Sequence, residues 1–328
     1  TLTAGDATDL TFCCTLQNGG VGTLGLNKAG AGVLTLSGTN THTGTTTISG
    51  GTIRQGGAGA LSGGGALTVN GTSTFFDLNG FNASVSTLGG VSTGTVTDNA
   101  AVAGTTTLSI TNAGSSAAAI TNGATRNVAL RVTNGNGSFL LTNGANTFSG
   151  GIVLTNSAGG TRMAPGTITA GAYGTGAIAI GEAATDKAGI YFANATSLSN
   201  AIIFNTALGT DLVGLRADAA VTLSGVITAN LAPATFTAFT STGSVQLTNQ
   251  VTGSAGLVVD ITSGLASATT FTVTLNNTGT ANNYQGDTVV NLNAASGKSA
   301  TLQLLAADQI PNGTGTGNVF VNSNGTGI

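Results

Sequence analysis

The chain of 328 residues carries 8 Lys and Arg, 11 Asp and Glu and one His, so that only 6% of its residues are charged and the formal net charge is −3. Soluble domains ordinarily contain about 25% charged residues. Because the few cations are scattered, they cannot form the phosphate-neutralising patch that nucleic acids need, and a polybasic membrane footprint is missing for the same reason. Intrinsic disorder is disfavoured too, since 40% of the residues are apolar and the mean hydropathy is +0.31.

Short alternations of apolar and polar residues predict β-strands of about 3 to 5 residues with one buried face. The first 26 residues begin the series, and the segment from Val33 to Ile53 adds a strand, a polar turn with glycine and a second strand. No stretch keeps a helical period over roughly 10 to 15 residues, and none approaches the roughly 20 apolar residues of a membrane-spanning helix. The further predicted strands lie around Leu67, Phe75, Leu88, Val96, Leu108, Ile178, Ile190, Ile202, Leu215, Val221, Phe236, Val245, Leu257, Phe271 and Val319.

The segment Val33 to Ile53 recurs along the chain. Phe139 to Thr161 aligns with it at a constant offset, and Val273 to Leu292 repeats its second half after a longer turn. A chain that repeats one strand-turn-strand unit is built from stacked units. The aligned positions are Leu34 with Leu140, Gly38 with Gly144, Asn40 with Asn146 and Asn282, His42 with Phe148 and Tyr284, and Gly44 with Gly150.

Strands at this spacing fit a sandwich, a barrel or a β-solenoid. Self-similarity, turns rich in Gly, Asn, Ser and Thr, and low charge favour the solenoid, in which like residues stack about 4.8 Å apart and like charges repel. We therefore expect an all-β fold, a parallel β-helix (β-solenoid) that is right-handed and forms an elongated rod. One continuous solenoid is expected over residues 1 to 328, with a soft break near residues 163 to 166, where the first of three prolines interrupts the pattern.

Gly30 to Gly44, continued by Ile48 to Ile53, resembles the autotransporter-associated β-strand repeat, which has the pattern G-x-G-x-L-T-L-x-G-x-N-T-Y-T-G-x-T-x-V-x-x-G-x-L. The segment from Phe76 to Thr97 resembles the region that often follows such a repeat. His42 stands where the repeat usually has an aromatic residue, and residues 166 to 270 carry no recognisable copy. The resemblance implies a parallel β-helix in a secreted or surface-displayed passenger region of a large Gram-negative protein, and hence an extracellular or cell-surface location.

Cys13 and Cys14 are the two cysteines of the chain, and they are adjacent. On a strand they would point to opposite faces and could not easily bridge each other. One interpretation is that either cysteine bonds a neighbouring subunit. The other is that both are small buried residues. No metal-binding spacing accompanies them.

Catalytic residues are not apparent in the sequence. His42 is the one histidine, and its position in the repeat marks it as a repeat variant rather than a member of a triad. Carbohydrate-acting β-helix enzymes need two or more carboxylates, or carboxylates with Arg or Lys, in one groove. The charged groups that are close in sequence are Glu182/Asp186/Lys187 and Asp211/Arg216/Asp218. Each fits a small saccharide or cation site, but such groups are more typical of solvated loops, and Asp287 lacks the neighbours of a calcium loop. No catalytic, cofactor-binding or metal-binding residue and no cofactor is therefore predicted.

The leading interpretation is a non-enzymatic, extracellular structural protein: a subunit or segment of a self-assembling surface fibre or filament, with or without an adhesive role. The open ends of a solenoid pair with other chains unless they are capped, so we expect a head-to-tail homopolymer through strands within residues 1 to 16 and 318 to 328. The first alternative is a monomeric surface adhesin or glycan-binding passenger domain, against which the three Tyr and absent Trp count. The second is a polysaccharide lyase or hydrolase. Neither nucleic-acid binding nor membrane insertion by this chain is expected.

Overall fold

The computed structural model describes residues 1–61, 63–133, 137–155, 161–163, 171–183, 185–206, 214–238, 242–261, 270–292, 298–313 and 315–323. Within these ranges the regular elements are all β-strands, without any helix. Neighbouring strands run parallel, each one turn of chain away from the next. The predicted all-β parallel solenoid is therefore confirmed, whereas its handedness and rod shape stay predictions.

The chain divides into two compact units, Thr1–Ile152 with Gly171–Gly176, and Val153–Ala170 with Ala177–Ile328. The expectation of one continuous solenoid stays a prediction. The predicted soft break near 163 to 166 falls, apart from Met163, outside the described residues.

The first unit is built from sixteen short strands, with β17 (Ile152–Leu154) at the division. One sheet has the order β1-β3-β5-β7-β10, and a second has the order β14-β11-β8-β6-β4-β2. In addition, β12 pairs with β9 and β15, and β13 pairs with β16. The strands are β1 (Leu2–Ala4), β2 (Leu10–Phe12), β3 (Leu26–Lys28), β4 (Val33–Leu36), β5 (Thr46–Ile48), β6 (Thr52–Gln55), β7 (Leu67–Val69), β8 (Thr74–Asp77), β9 (Ala83–Val85), β10 (Leu88–Gly90), β11 (Gly94–Thr97), β12 (Gly104–Ile110), β13 (Gly114–Ser116), β14 (Ala119–Ile120), β15 (Arg126–Val132) and β16 (Ser138–Leu141).

The second unit repeats the arrangement with three runs of parallel strands. Their orders are β18-β20-β23-β26-β29-β31-β33, β19-β22-β25-β28 and β21-β24-β27-β30-β32. The strands are β18 (Thr161–Met163), β19 (Ile178–Ile180), β20 (Ala188–Phe192), β21 (Thr196–Leu198), β22 (Ile202–Phe204), β23 (Gly214–Ala217), β24 (Ala220–Leu223), β25 (Ile227–Ala229), β26 (Ala234–Thr237), β27 (Gly243–Leu247), β28 (Val251–Thr252), β29 (Leu257–Asp260), β30 (Thr270–Leu275), β31 (Thr288–Leu292), β32 (Ser299–Leu304) and β33 (Val319–Ser323).

The core consists of files of apolar side chains, one from each turn. Alternation along a strand directs every second side chain inward, and parallel register places it on the inward side chain of the next turn. In the first unit one such file is Leu34, Ile53, Phe76, Val96 and Ile120, all buried. In the second unit another is Ile178, Ile202, Ile227 and Val251. Each turn therefore adds apolar area to the core, and this burial stabilises the folded chain by about 25 cal/mol per Å².

The glycines of the repeat lie where one turn approaches the backbone of the preceding turn. A β-carbon built on Gly44 would lie 2.5 Å from the carbonyl oxygen of Leu24, and one on Gly150 would lie 2.6 Å from that of Val128. Each glycine also donates its N–H to the same oxygen, at 3.0 Å and 2.9 Å. The two copies of the repeat therefore keep glycine at this position because a side chain would collide with the backbone of the turn before.

Candidate functional site

The most regular feature of the molecule is a polar corner that recurs in the three sequence echoes. We call it the corner motif and define it as Asn40 to His42, Asn146 to Phe148 and Asn282 to Tyr284. In the first copy, the buried Asn40 accepts the N–H of Leu16 at 2.7 Å and donates its amide to the carbonyl of Ala60. One side chain therefore ties together the preceding turn and the following turn at a place where no β-ladder does so.

The other two copies repeat this geometry. Asn146 accepts the N–H of Ile120 at 2.8 Å and donates to the carbonyl of Ala172 at 2.6 Å. Asn282 accepts the N–H of Val251 at 2.8 Å, and its amide lies 2.8 Å from the carbonyl of Gln309. A buried backbone group without a hydrogen-bond partner reduces the stability of the fold by about 1 to 3 kcal/mol. The asparagine amide both donates and accepts, so it provides a partner for a backbone group on each neighbouring turn.

The ring two residues after each asparagine is buried. Phe148 and Tyr284 are fully enclosed, and so is His42. Nε2 of His42 lies 3.1 Å from the hydroxyl of Thr46, while the hydroxyl of Tyr284 lies 2.8 Å from that of Thr288, four residues on in both cases. His42 thus occupies the aromatic position of the motif, as the sequence predicted, and burial lowers the pKa of its imidazole, with a hydrogen bond to the backbone of Leu16 partly offsetting this.

A second asparagine, which the sequence analysis missed, supports the corner from the preceding turn. Asn18 accepts the N–H groups of Leu24 at 2.9 Å and Thr43 at 3.0 Å. Asn122 does the same for Val128 at 2.9 Å and Ser149 at 3.1 Å. The corner asparagines accept the N–H groups of Leu16 and Ile120, and the second asparagine follows each of these residues by two positions. This spacing is hidden in the sequence because the number of residues in a turn varies.

Two ion pairs also join residues that are distant in sequence. Nε of Arg54 lies 2.9 Å from Asp77, and Nε of Arg126 lies 3.2 Å from Asp98. Both carboxylates are fully buried. The partners lie 23 and 28 residues apart in sequence, so only the stacking of turns brings them together.

Backbone groups fill the remaining acceptor positions of these carboxylates. Asp77 accepts the N–H groups of Asn79 at 3.1 Å and Asn99 at 2.9 Å. Asp98 accepts those of Gly80 at 3.0 Å and Ala100 at 3.1 Å. These contacts hold the chain on adjacent turns, and they leave the carboxylates enclosed rather than facing a groove.

The charged groups singled out in the sequence form local contacts. Asp186 accepts the N–H groups of Glu182 at 2.7 Å and Ala183 at 3.1 Å and the hydroxyl of Thr155 at 2.9 Å, so its carboxylate closes a turn. Lys187 is not part of that network of contacts.

Arg216 forms an ion pair with Asp218, and its guanidinium lies 4.2 Å above the ring of Tyr191. Asp211, the third member of the predicted group, lies outside the described residues. The guanidinium is therefore engaged by both a carboxylate and an aromatic face.

The structure contradicts one of the two interpretations of the cysteines, together with the side-chain directions expected on a strand. Strand β2 ends at Phe12, so that Cys13 and Cys14 lie in a bend, and their sulfur atoms are 3.8 Å apart instead of on opposite faces. Both are exposed free thiols, so the interpretation as small buried residues is wrong. A bond from either cysteine to a neighbouring subunit stays a prediction.

Apolar side chains are uncovered on the outermost strands of the two units. Leu10 on β2 is 44% exposed although its register partner Leu34 is buried. On β33, Val319 and Val321 are 54% and 56% exposed although their partners Thr288 and Val290 are buried. These strands thus present inward positions that no further described turn covers.

Within the described ranges, no group of three or more His, Cys, Asp and Glu side chains is arranged to hold a metal ion. The same residues include no helix long and apolar enough to cross a membrane.

Residues 26–54 match the family model described as the passenger-associated-transport-repeat, a repeat of autotransporter passenger regions. The match contains the first corner motif, the buried Lys28, strands β3 to β5 and all of β6 except its last residue. No match was found among curated proteins or among solved structures.

Replacement of Asn40 tests the corner motif. Asn40→Ala leaves the N–H of Leu16 and the carbonyl of Ala60 without their partner, so we expect a loss of roughly 2 to 4 kcal/mol in the free energy of unfolding, measured by denaturant titration. Asn27→Ala is the matched control, because the Asn27 side chain accepts an exposed hydrogen bond from the hydroxyl of Ser49. Equal effects of the two substitutions would contradict the role of the corner amide.

Acid sensitivity tests the burial of His42. Because the folded-state pKa lies below the ordinary 6.5, the unfolded chain binds more protons, so the stability linked to His42 is complete above pH 6.5 and is lost as the pH falls through the folded-state pKa. We expect wild type to lose thermal stability relative to His42→Phe between about pH 7 and pH 5. Melting curves across this range would show parallel pH profiles if His42 does not titrate in this way.

Proposed function

We propose that this chain is a structural segment of a secreted or cell-surface passenger whose solenoid turns assemble end to end into a fibre, and that it is not an enzyme. The matched repeat is a passenger repeat, which belongs to secreted or cell-surface proteins of Gram-negative bacteria. The observation that carries the assembly is the uncovered apolar face of the outermost strands.

The uncovered residues have the positions of core residues. Val319 and Val321 continue the inward files of β31, and Leu10 continues the file that includes Leu34. An added turn would bury these side chains at about 25 cal/mol per Å² and would pair the free backbone groups of the edge strand. The proposed occupant is a second copy of this chain, because its β1 and β2 also carry apolar residues at alternate positions.

Such a contact joins different surfaces of the two copies. β33 of one copy would pair with the first turn of the next, and a contact of this heterologous type continues as a filament unless it closes into a ring. The composition favours the same outcome, since 6% charged residues leave little electrostatic repulsion between copies.

The proposal of a non-enzymatic role is supported by the polar groups already described. The carboxylates of Asp77, Asp98 and Asp186 accept backbone N–H groups and serve to shape turns. The corner asparagines join neighbouring turns in the same way. These side chains are used to build the solenoid, and a surface scaffold requires nothing more of them.

A lysine on the inward side of β33 tests the assembly. We expect wild type to sediment as a concentration-dependent series of species and to form filaments in negative-stain micrographs. Val321→Lys places a charge where the next copy would bury an apolar side chain, so we expect at least a tenfold weaker association, about 1.4 kcal/mol. Phe320→Lys is the matched control, since Phe320 alternates with Val321 and points to the other side of the strand.

The outcomes of this experiment are distinct. Wild-type chain that stays monomeric at every concentration would remove the assembly proposal. Equal weakening by both lysine variants would instead assign the effect to net charge.

A glycan-binding surface is the second candidate, and one observation favours it. The outward positions of four neighbouring strands, Thr222, Gln246, Thr274 and Gln303, stand in register and carry no charge. Gln303 is exposed and Thr222 and Gln246 are half-buried, so their hydroxyl and amide groups suit neutral hydroxyl-bearing polymers. Thr274 lies buried among them and contacts Gln303. A glycan array is the test: we expect binding that Gln246→Leu weakens if this face is used, and a silent array would dispose of the candidate.

A further inference from the structure

Two neighbouring thiols form the one cluster of soft ligands in the described part of the chain. The sulfur atoms of Cys13 and Cys14 are 3.8 Å apart, and both side chains are exposed. Neither takes part in the corner motif, the core files or the ion pairs. The pair therefore has no structural use in the turn that carries it, and it faces solvent.

The backbone beneath the pair is fixed by the next turn. The carbonyl of Phe12 accepts the N–H of Ser37 at 2.9 Å, and the N–H of Leu16 is held by Asn40 at 2.7 Å. Gly38 packs so closely that a β-carbon on it would lie 2.2 Å from the carbonyl oxygen of Cys14. The backbone of residues 12 to 16 is thus held by the next turn on both sides of the thiols.

This anchoring disfavours a disulfide within the pair. Consecutive α-carbons across a trans peptide are about 3.8 Å apart, whereas disulfide-bonded cysteines usually have α-carbons about 4.4 to 6.8 Å apart. The sulfur atoms would also have to close to about 2.05 Å, which requires the held backbone to deform.

A single bridging ion requires no such change. Zinc binds thiolate sulfur at about 2.3 Å with tetrahedral geometry, so that two thiolates on one ion are separated by about 3.8 Å. The observed separation of 3.8 Å is the same.

We propose that the thiolates of Cys13 and Cys14 chelate one thiophilic divalent cation of the zinc or cadmium class. Each thiol loses its proton to solvent, two sulfur–metal bonds form, and the charge of the ion is balanced by the two thiolates. Solvent completes the tetrahedral coordination, because the described residues provide no third His, Cys, Asp or Glu ligand. The site is therefore open, and its ion is exchangeable.

Because the ion binds thiolates, binding releases protons. The inference does not depend on fibre assembly. The same thiols are the ones for which a bond to a neighbouring subunit is predicted, and a bound metal ion would protect them from forming that disulfide.

Cadmium provides the direct test, because its bonds to thiolate give a charge-transfer absorption in the ultraviolet. The reduced chain of residues 1–328 is titrated with Cd²⁺, and the absorption and the bound metal per chain are measured. We expect saturation at one ion per chain, and at least tenfold weaker binding by Cys13→Ser and by Cys14→Ser. His42→Phe is the control and should bind as wild type does, since His42 is enclosed.

Three outcomes would overturn the inference. They are the absence of the charge-transfer absorption at saturating Cd²⁺, unchanged affinity in either serine variant, and loss of both thiols to a disulfide within one chain on exposure to glutathione disulfide while Cd²⁺ is present. Circular dichroism of the serine variants is expected to match wild type because both side chains are exposed.

Discussion

Parallel stacking at one strand spacing is the constraint on which the other features depend. Every residue of a strand lies about 4.8 Å from its counterpart in the next turn. A side chain of the wrong size or charge therefore conflicts with the turns on both sides of it. Inward positions become apolar files such as Leu34, Ile53 and Phe76. Where the backbone of one turn touches the next, only glycine fits, as Gly44 does against the carbonyl of Leu24. The stacked geometry therefore accounts for the apolar inward residues and for the glycines at the close contacts.

The corner motif provides hydrogen-bond partners for backbone groups at the bends, where the strands no longer pair. Strands satisfy their backbone groups by pairing, but a turn between two strands cannot continue the ladder. An asparagine side chain carries a donor and an acceptor at the spacing of a peptide group, so Asn40 can replace one rung between Leu16 and Ala60. Aspartate would supply only acceptors, and leucine neither. The ring two residues later then fills the space that the bend encloses.

The sequence predicted the repeat, the strand class and the place of His42 at the aromatic position of the repeat, because each depends on local alternation or on a constant offset. It did not predict Asn18 or the pairing of Arg54 with Asp77, since these depend on how many residues each turn contains. That number varies: Leu26 pairs with Thr46 and Leu257 with Thr288, steps of 20 and 31 residues. The cysteines were misjudged for another reason, because β2 ends at Phe12 and the strand rule for side-chain direction does not extend into the bend.

Two ion pairs of this fold join opposite charges on neighbouring turns. Arg54 and Asp77 are register partners on β6 and β8, so their attraction acts across the same spacing at which two like charges would repel. Uncharged outward positions can vary without disturbing the stack, whereas the glycines, the corner asparagines and the paired charges cannot. Outward residues are therefore the positions that can change most freely, and the exposed side chains of Cys13 and Cys14 can change without cost to the core.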